Sequence, residues 1–167
     1  MTELIRRAQK GDAEAFVELI DSQRQTLYKV ARGYLREQMD IDDAVADTVL
    51  ACWENIAALR SAAYFRTWLI RILINKCTDI LRSRERTVPL DSIGDTVESA
   101  GDNGIGFATL VECLDEQYRA VFILYYSEGF KIREISRILD IPAGTVGSRL
   151  ERGREQLRKR LEKGGVW

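Results

Sequence analysis

Histidine is absent from the 167 residues, which removes the commonest general base and the usual nucleophile-activating triads. Cysteine is scarce: Cys52, Cys77 and Cys113 are far apart and form no CxxC pair. With no histidine to join them they suggest neither a zinc site nor a disulfide framework, and read as buried or half-buried thiols. Proline occurs only at Pro89 and Pro142, so long stretches lack the residue that most strongly breaks helices. No apolar run approaches the roughly 20 residues of a membrane span, and the opening MTELIRRAQKGD has no apolar signal-peptide core. A cytoplasmic location without direct membrane insertion is therefore expected.

Net charge is also small, at -1, but it conceals a pattern, and a nucleic-acid reader needs one basic face rather than a basic total. Glu37, Asp40, Asp42, Asp43 and Asp47 form an acidic cluster. From Arg60 to Arg86 seven basic residues face only Asp79 and Glu85, and from Lys131 to Lys163 ten basic residues face five acidic ones. Apolar residues make up 46% of the chain, enough burial potential for a folded protein rather than a disordered one.

What is present is helical periodicity, and the chain reads as all-α. Phe16, Leu19, Ile20, Leu27, Val30, Ala31 and Tyr34 fall on one face of a long helix that Asp12 caps. A second helix starts at Asp40 or Asp42 and shows Val45, Val49, Cys52, Trp53 and Ile56. A third, opened by Ser61, carries Phe65, Trp68, Leu69, Ile72, Leu73 and Ile80, of which Trp68, Leu69 and Ile72 read as core and Phe65 as core or exposed. From Thr87 to Phe107 the pattern stops in a Gly-, Ser- and Asp-rich stretch with no basic residue, which reads as a flexible linker. Periodicity resumes with Leu114, Tyr118, Val121, Phe122 and Tyr125, pauses at Glu128 and Gly129, and returns with Ile132, Ile135 and Leu139. A last helix begins near Pro142 and runs toward Gly164. The expectation is two small helical domains, 1–87 and 111–167, joined by a linker over 88–110, with the second domain trihelical.

Two helices joined by the short turn Asp140, Ile141, Pro142 have the form of a helix-turn-helix. Val146, Leu150, Gly153, Leu157 and Leu161 share one face and pack inward. Thr145, Ser148, Arg149 and Arg152 then point outward, and hydroxyls and arginines at an exposed helix N-terminus suit the major groove, where guanidinium groups meet guanine edges or phosphates. A basic last helix taken alone would equally be a solvated face; the turn before it favours DNA.

Residues 114 to 161, LDEQYRAVFILYYSEGFKIREISRILDIPAGTVGSRLERGREQLRKRL, closely resemble region four of extracytoplasmic-function sigma factors, and DIDDAVADTVLACWENI with YFRTWLIRILINKCTDILRSRERT resembles region two. The resemblance implies a protein that binds core RNA polymerase and promoter DNA, with an anti-sigma factor as a further partner and with no cofactor, metal or small-molecule substrate. It places Asp43, Asp47 and Thr48 on the polymerase surface, although Asp40, Asp42 and Asp43 also suit a helix start. It places Arg60, Ser61, Ala62, Tyr64 and Phe65 in a loop that captures an unpaired base of the minus-ten element, with Arg71, Asn75 and Lys76 on the adjoining helix. Arg82, Arg84 and Arg86 suit backbone phosphates. Thr145, Ser148, Arg149 and Arg152 would read the minus-thirty-five duplex. The chain departs from the family pattern at Ala46, where glutamine is usual, at Gly147, where lysine is common, and at Gly153, where alanine is common.

Two other readings compete. A stand-alone helix-turn-helix regulator would bind duplex operators without polymerase. An enzyme would hold magnesium on Asp42, Asp43 and Asp47, but one such cluster in so short a chain leaves no large enclosed apolar pocket.

Overall fold

The computed structural model describes residues 1–87 and 107–163. Among them every regular element is helical, and the chain divides into two compact units, Met1–Arg86 and Thr87–Trp167. No helix among the described residues is long and apolar enough to cross a membrane. Most of the stretch read as a linker lies outside the described residues, but Phe107 to Leu110, assigned to it above, open a helix instead.

The first unit opens with α1 (Thr2–Gln9), α2 (Ala13–Asp21) and α3 (Arg24–Tyr34). Asp12 caps α2 as expected, its carboxylate accepting from the Ala15 N–H at 3.0 Å and from Arg7 at 2.8 Å. The single long helix expected here is two: the chain breaks at Ser22 and Gln23, where the Ser22 hydroxyl donates to the Leu19 carbonyl at 2.6 Å and Gln23 is buried. α4 (Gln38–Asn55) begins at Gln38, earlier than Asp40 or Asp42, and passes into a 3-10 turn over Ile56–Ala58. A second 3-10 turn, Ala62–Tyr64, follows Ser61 and feeds α5 (Phe65–Thr87). Leu19, Leu27, Val30, Ala44, Cys52, Phe65, Leu69, Leu73 and Cys77 are at most 1% exposed and form the core. Trp53, expected on the buried stripe, is 39% exposed and touches Phe16 edge to face, ring centres 4.8 Å apart.

Among its described residues the second unit has one more helix than the three expected: α6 (Phe107–Glu112), α7 (Glu116–Phe122), α8 (Ile132–Leu139) and α9 (Ala143–Lys163). Between α7 and α8 the chain continues through a π-helical turn, Ile123–Ser127. The extra residue in that turn shifts the register, and Tyr125 and Tyr126 both end up exposed. Gly129, at φ +69, lies in the left-handed region that the bend into α8 requires. Asp115 and Gln156 bind each other twice, at 3.2 and 3.0 Å, fixing the start of α7 to α9.

Candidate nucleic-acid interface

In the second unit, α8 and α9 meet at a turn with its own chemistry. Asp140 ends α8 in the left-handed region at φ 54 and ψ 46, a conformation that aspartate tolerates better than most residues. The Ser136 hydroxyl donates to the Ile141 carbonyl at 2.6 Å while the Ile141 N–H donates back to the Ser136 carbonyl at 3.1 Å. The Pro142 carbonyl accepts from the N–H groups of Thr145 and Val146, so proline stands immediately before α9. Val146, Leu150 and Gly153 are buried, while Leu157 and Leu161 are half-buried. The opposite face presents Thr145 and Arg149, half-buried, and Ser148 and Arg152, exposed. All four residues therefore share one outward face of the first turns of α9. The Ser148 hydroxyl donates to the Gly144 carbonyl at 2.7 Å, which leaves its oxygen lone pairs available as acceptors.

The two helical glycines differ. A Cβ on Gly147 would meet nothing within 4 Å, whereas one on Gly153 would overlap the Phe122 ring. Gly147 thus costs helix propensity without a packing return; Gly153 is what lets α9 approach α7.

In the first unit, an open cleft of about 510 Å³ is lined by Ala51 and Asn55 from α4, Ala58 to Ser61 from the connection, and Tyr64, Trp68 and Ile72. This volume is in the range of ligand sites, roughly 300–1,000 Å³. The connection is held by Gln9, whose side-chain amide donates to the carbonyls of Ile56 and Leu59 at 3.1 and 2.8 Å. Arg60 and Tyr64 are exposed, Ser61 and Ala62 half-buried. Phe65 is fully buried and anchors the loop rather than reaching a ligand. Trp68 and Ile72, read from spacing as core, are half-buried walls of the cleft. Arg71 and Asn75 are exposed and Lys76 is half-buried farther along α5, outside the lining.

The acidic cluster divides by function. Asp40 pairs with Arg84 at 2.7 Å, tying the start of α4 to the last turns of α5 and committing that arginine internally. Asp42 accepts from Gln38 at 2.9 Å and from Tyr28, whose hydroxyl is pushed above its ordinary pKa by burial first and by the Asp42 bond second. Asp43 and Asp47 are exposed and make no ion pair among the described residues. Thr48 is fully buried, its hydroxyl donating to the Ala44 carbonyl at 2.6 Å, so its assignment to a partner surface is corrected. Met39, at 73% exposure, and Leu50, at 61%, lie on the face of Asp43. Periodicity alone did not single them out; large apolar residues out of phase with the buried stripe were the available signal. Among the described residues no group of metal-ligating side chains is assembled.

Comparison with known proteins agrees with this geometry. The family model described as sigma-70 region 2 matches residues 19–87, and that described as sigma-70, region 4, matches residues 106–157. The ECF RNA polymerase sigma factor SigW of Bacillus subtilis is 28% identical over 94% of each chain. The ECF RNA polymerase sigma factor SigM of Mycobacterium tuberculosis is 29% identical over 95% of this chain and 83% of its own. Among solved structures, CnrH in complex with the cytosolic domain of CnrY has a TM-score of 0.72 at 26% identity, covering 97% of both chains. The sigma factor RpoE of Bartonella quintana, solved with the anti-sigma factor NepR, shares the fold with a TM-score of 0.73, 22% identity, and coverage of 90% of this chain and 98% of its own. With both region models matched in order, and relatives of one kind matched over 94% and 95% of this chain, the chain belongs to the sigma-70 family, as an extracytoplasmic-function sigma factor.

Proposed function

We propose that this chain binds core RNA polymerase in the cytoplasm and directs it to promoters, with α9 on the minus-thirty-five duplex and the α4–α5 cleft on melted minus-ten DNA. The observation that carries the reading is the cleft itself: aromatic walls at Tyr64 and Trp68 beside Arg60, the combination of stacking surface and cation that unpaired nucleic acid requires. A stand-alone operator-binding protein has no use for such a cleft.

Arg149 and Arg152 supply guanidinium groups to base edges or phosphates, with Thr145 and Ser148 completing the contact. Arg71, Asn75 and Lys76 extend the minus-ten surface along α5, with Arg82 and Arg86 toward backbone phosphates; Arg84 is held by Asp40. Asp43 and Asp47 offer carboxylates to a basic helix of the polymerase, and Met39 and Leu50 add the apolar anchors that usually dominate a protein interface. The chain performs no bond chemistry in this scheme. An anti-sigma protein that covers these faces until a signal arrives is the expected regulator.

Run-off transcription with core enzyme tests the proposal. Promoter-specific transcripts are expected from core plus this chain and not from either alone. Tight binding to a duplex operator without polymerase, and no change in transcription on adding the chain to core, would support the regulator instead.

A further inference from the structure

Asn55 closes one wall of the cleft, at the last residue of α4. Its side-chain Nδ2 donates to the Ala51 carbonyl at 2.8 Å. A carbonyl only accepts, so the amide orientation is fixed: the nitrogen is turned back on its own helix, and the side-chain atom still to be matched on this exposed lining residue is Oδ1, an acceptor. That oxygen accepts no hydrogen bond among the described residues. Around it the lining is largely apolar: Ala51, Ala58, Leu59 and Ile72, with the rings of Tyr64 and Trp68. Arg60 and Ser61 contribute the other polar groups, on the loop.

We propose that Asn55 is a specificity-determining residue, which makes the cleft select a base carrying an exocyclic amine and reject thymine. The inference rests on the base-capturing role proposed above. Adenine, cytosine and guanine each place an N–H₂ group at an edge where a lone acceptor can receive it. Thymine has no amine; its N3–H lies between two carbonyl oxygens, so an approaching Oδ1 meets two repelling dipoles beside the donor. Stacking on Tyr64 and Trp68 holds every base about equally, and donors on Arg60 and Ser61 meet carbonyl oxygens that thymine, cytosine and guanine all carry, so reading the amine falls to Asn55 Oδ1. A base seated in the cleft covers the exposed Asn55 side chain, and an acceptor offered only the flanked N3–H of thymine is then poorly paired.

The test is a template library randomised across the melted non-template segment, transcribed in vitro by core polymerase with the intact chain. The wild-type protein is expected to deplete thymine about tenfold at one position, the worth of roughly one hydrogen bond in a covered site. Asn55→Ala flattens that position and leaves the others selective. Base analogues give a second readout independent of the library. Replacing the preferred base by its counterpart without the amine (purine for adenine, 2-pyrimidinone for cytosine, hypoxanthine for guanine) costs wild type about tenfold and Asn55→Ala nothing. A minus-ten preference that Asn55→Ala leaves intact overturns this inference alone. A library in which the wild type prefers no position overturns it together with the proposed function.

Discussion

The Phe122 ring occupies the space that a side chain on Gly153 would need. α7 and α9 therefore approach each other at a point where even alanine is too large, although Gly153 lies in a helix, where glycine is otherwise unfavourable. Gly153→Ala is expected to destabilise the second unit by about 1–3 kcal/mol through overpacking. Gly147→Ala, with open space around it, should stabilise by up to about 1 kcal/mol. Urea unfolding of both variants checks the opposite signs.

On α4 the prediction separates two neighbours. Asp47→Arg should cost on the order of 2–5 kcal/mol in core polymerase binding with the fold intact. Thr48→Val removes a buried hydroxyl whose hydrogen bond to Ala44 is internal; it should change stability by no more than about 1 kcal/mol and leave core affinity at the wild-type value. Circular dichroism and core binding measured on the same samples distinguish an interface residue from a structural one.

Arg149→Ala on α9 should weaken use of the upstream promoter element by about 1–3 kcal/mol and relax its sequence preference. Arg152 is more exposed. If it meets phosphate, its loss lowers binding evenly across sequences and reduces the salt dependence by about one ion. Salt titrations of each variant on matched and mismatched duplexes supply the comparison.

Asp12 titrates below the ordinary carboxylate value of 3.8 because the Ala15 N–H and then Arg7 favour its charged form. A folded-state pKa beneath the unfolded one adds stability that is complete above the unfolded value and is lost as pH falls through the folded value. The melting temperature of wild type relative to Asp12→Asn should accordingly be highest near neutrality and shrink below about pH 4. A difference that is flat with pH would contradict the capping account.

Burial pushes the thiols of Cys52 and Cys77 up to about 12, and both side chains are closed to solvent. Cys113 is half-buried. Under native conditions at pH 8, alkylation followed by mass spectrometry should mark Cys113 first, with the other two reacting only on unfolding.

Much of this was legible in the sequence where local chemistry and periodicity agree. The helix-turn-helix was readable because a tight turn with Asp140 and Pro142 interrupts two amphipathic patterns. The break at Ser22 and Gln23 was not, since apolar residues on either side stay in phase and no glycine or proline marks it. α1 escaped notice because it buries only Ile5 and Ala8, too few to set a period. Trp68 and Ile72 show the limit of spacing as evidence: a cleft wall and a core interior repeat alike along a helix, and only the neighbouring chain decides which forms. The fate of the acidic cluster was hidden for a similar reason. Asp40 and Asp43 look equivalent until α5 brings Arg84 to one and not the other.

The most direct measurement is the affinity of the purified chain for RNA polymerase core stripped of its own specificity subunit, with Asp47→Arg as the control. Saturable binding that the substitution abolishes is predicted. An absence of association, or equal binding by both proteins, would contradict the account.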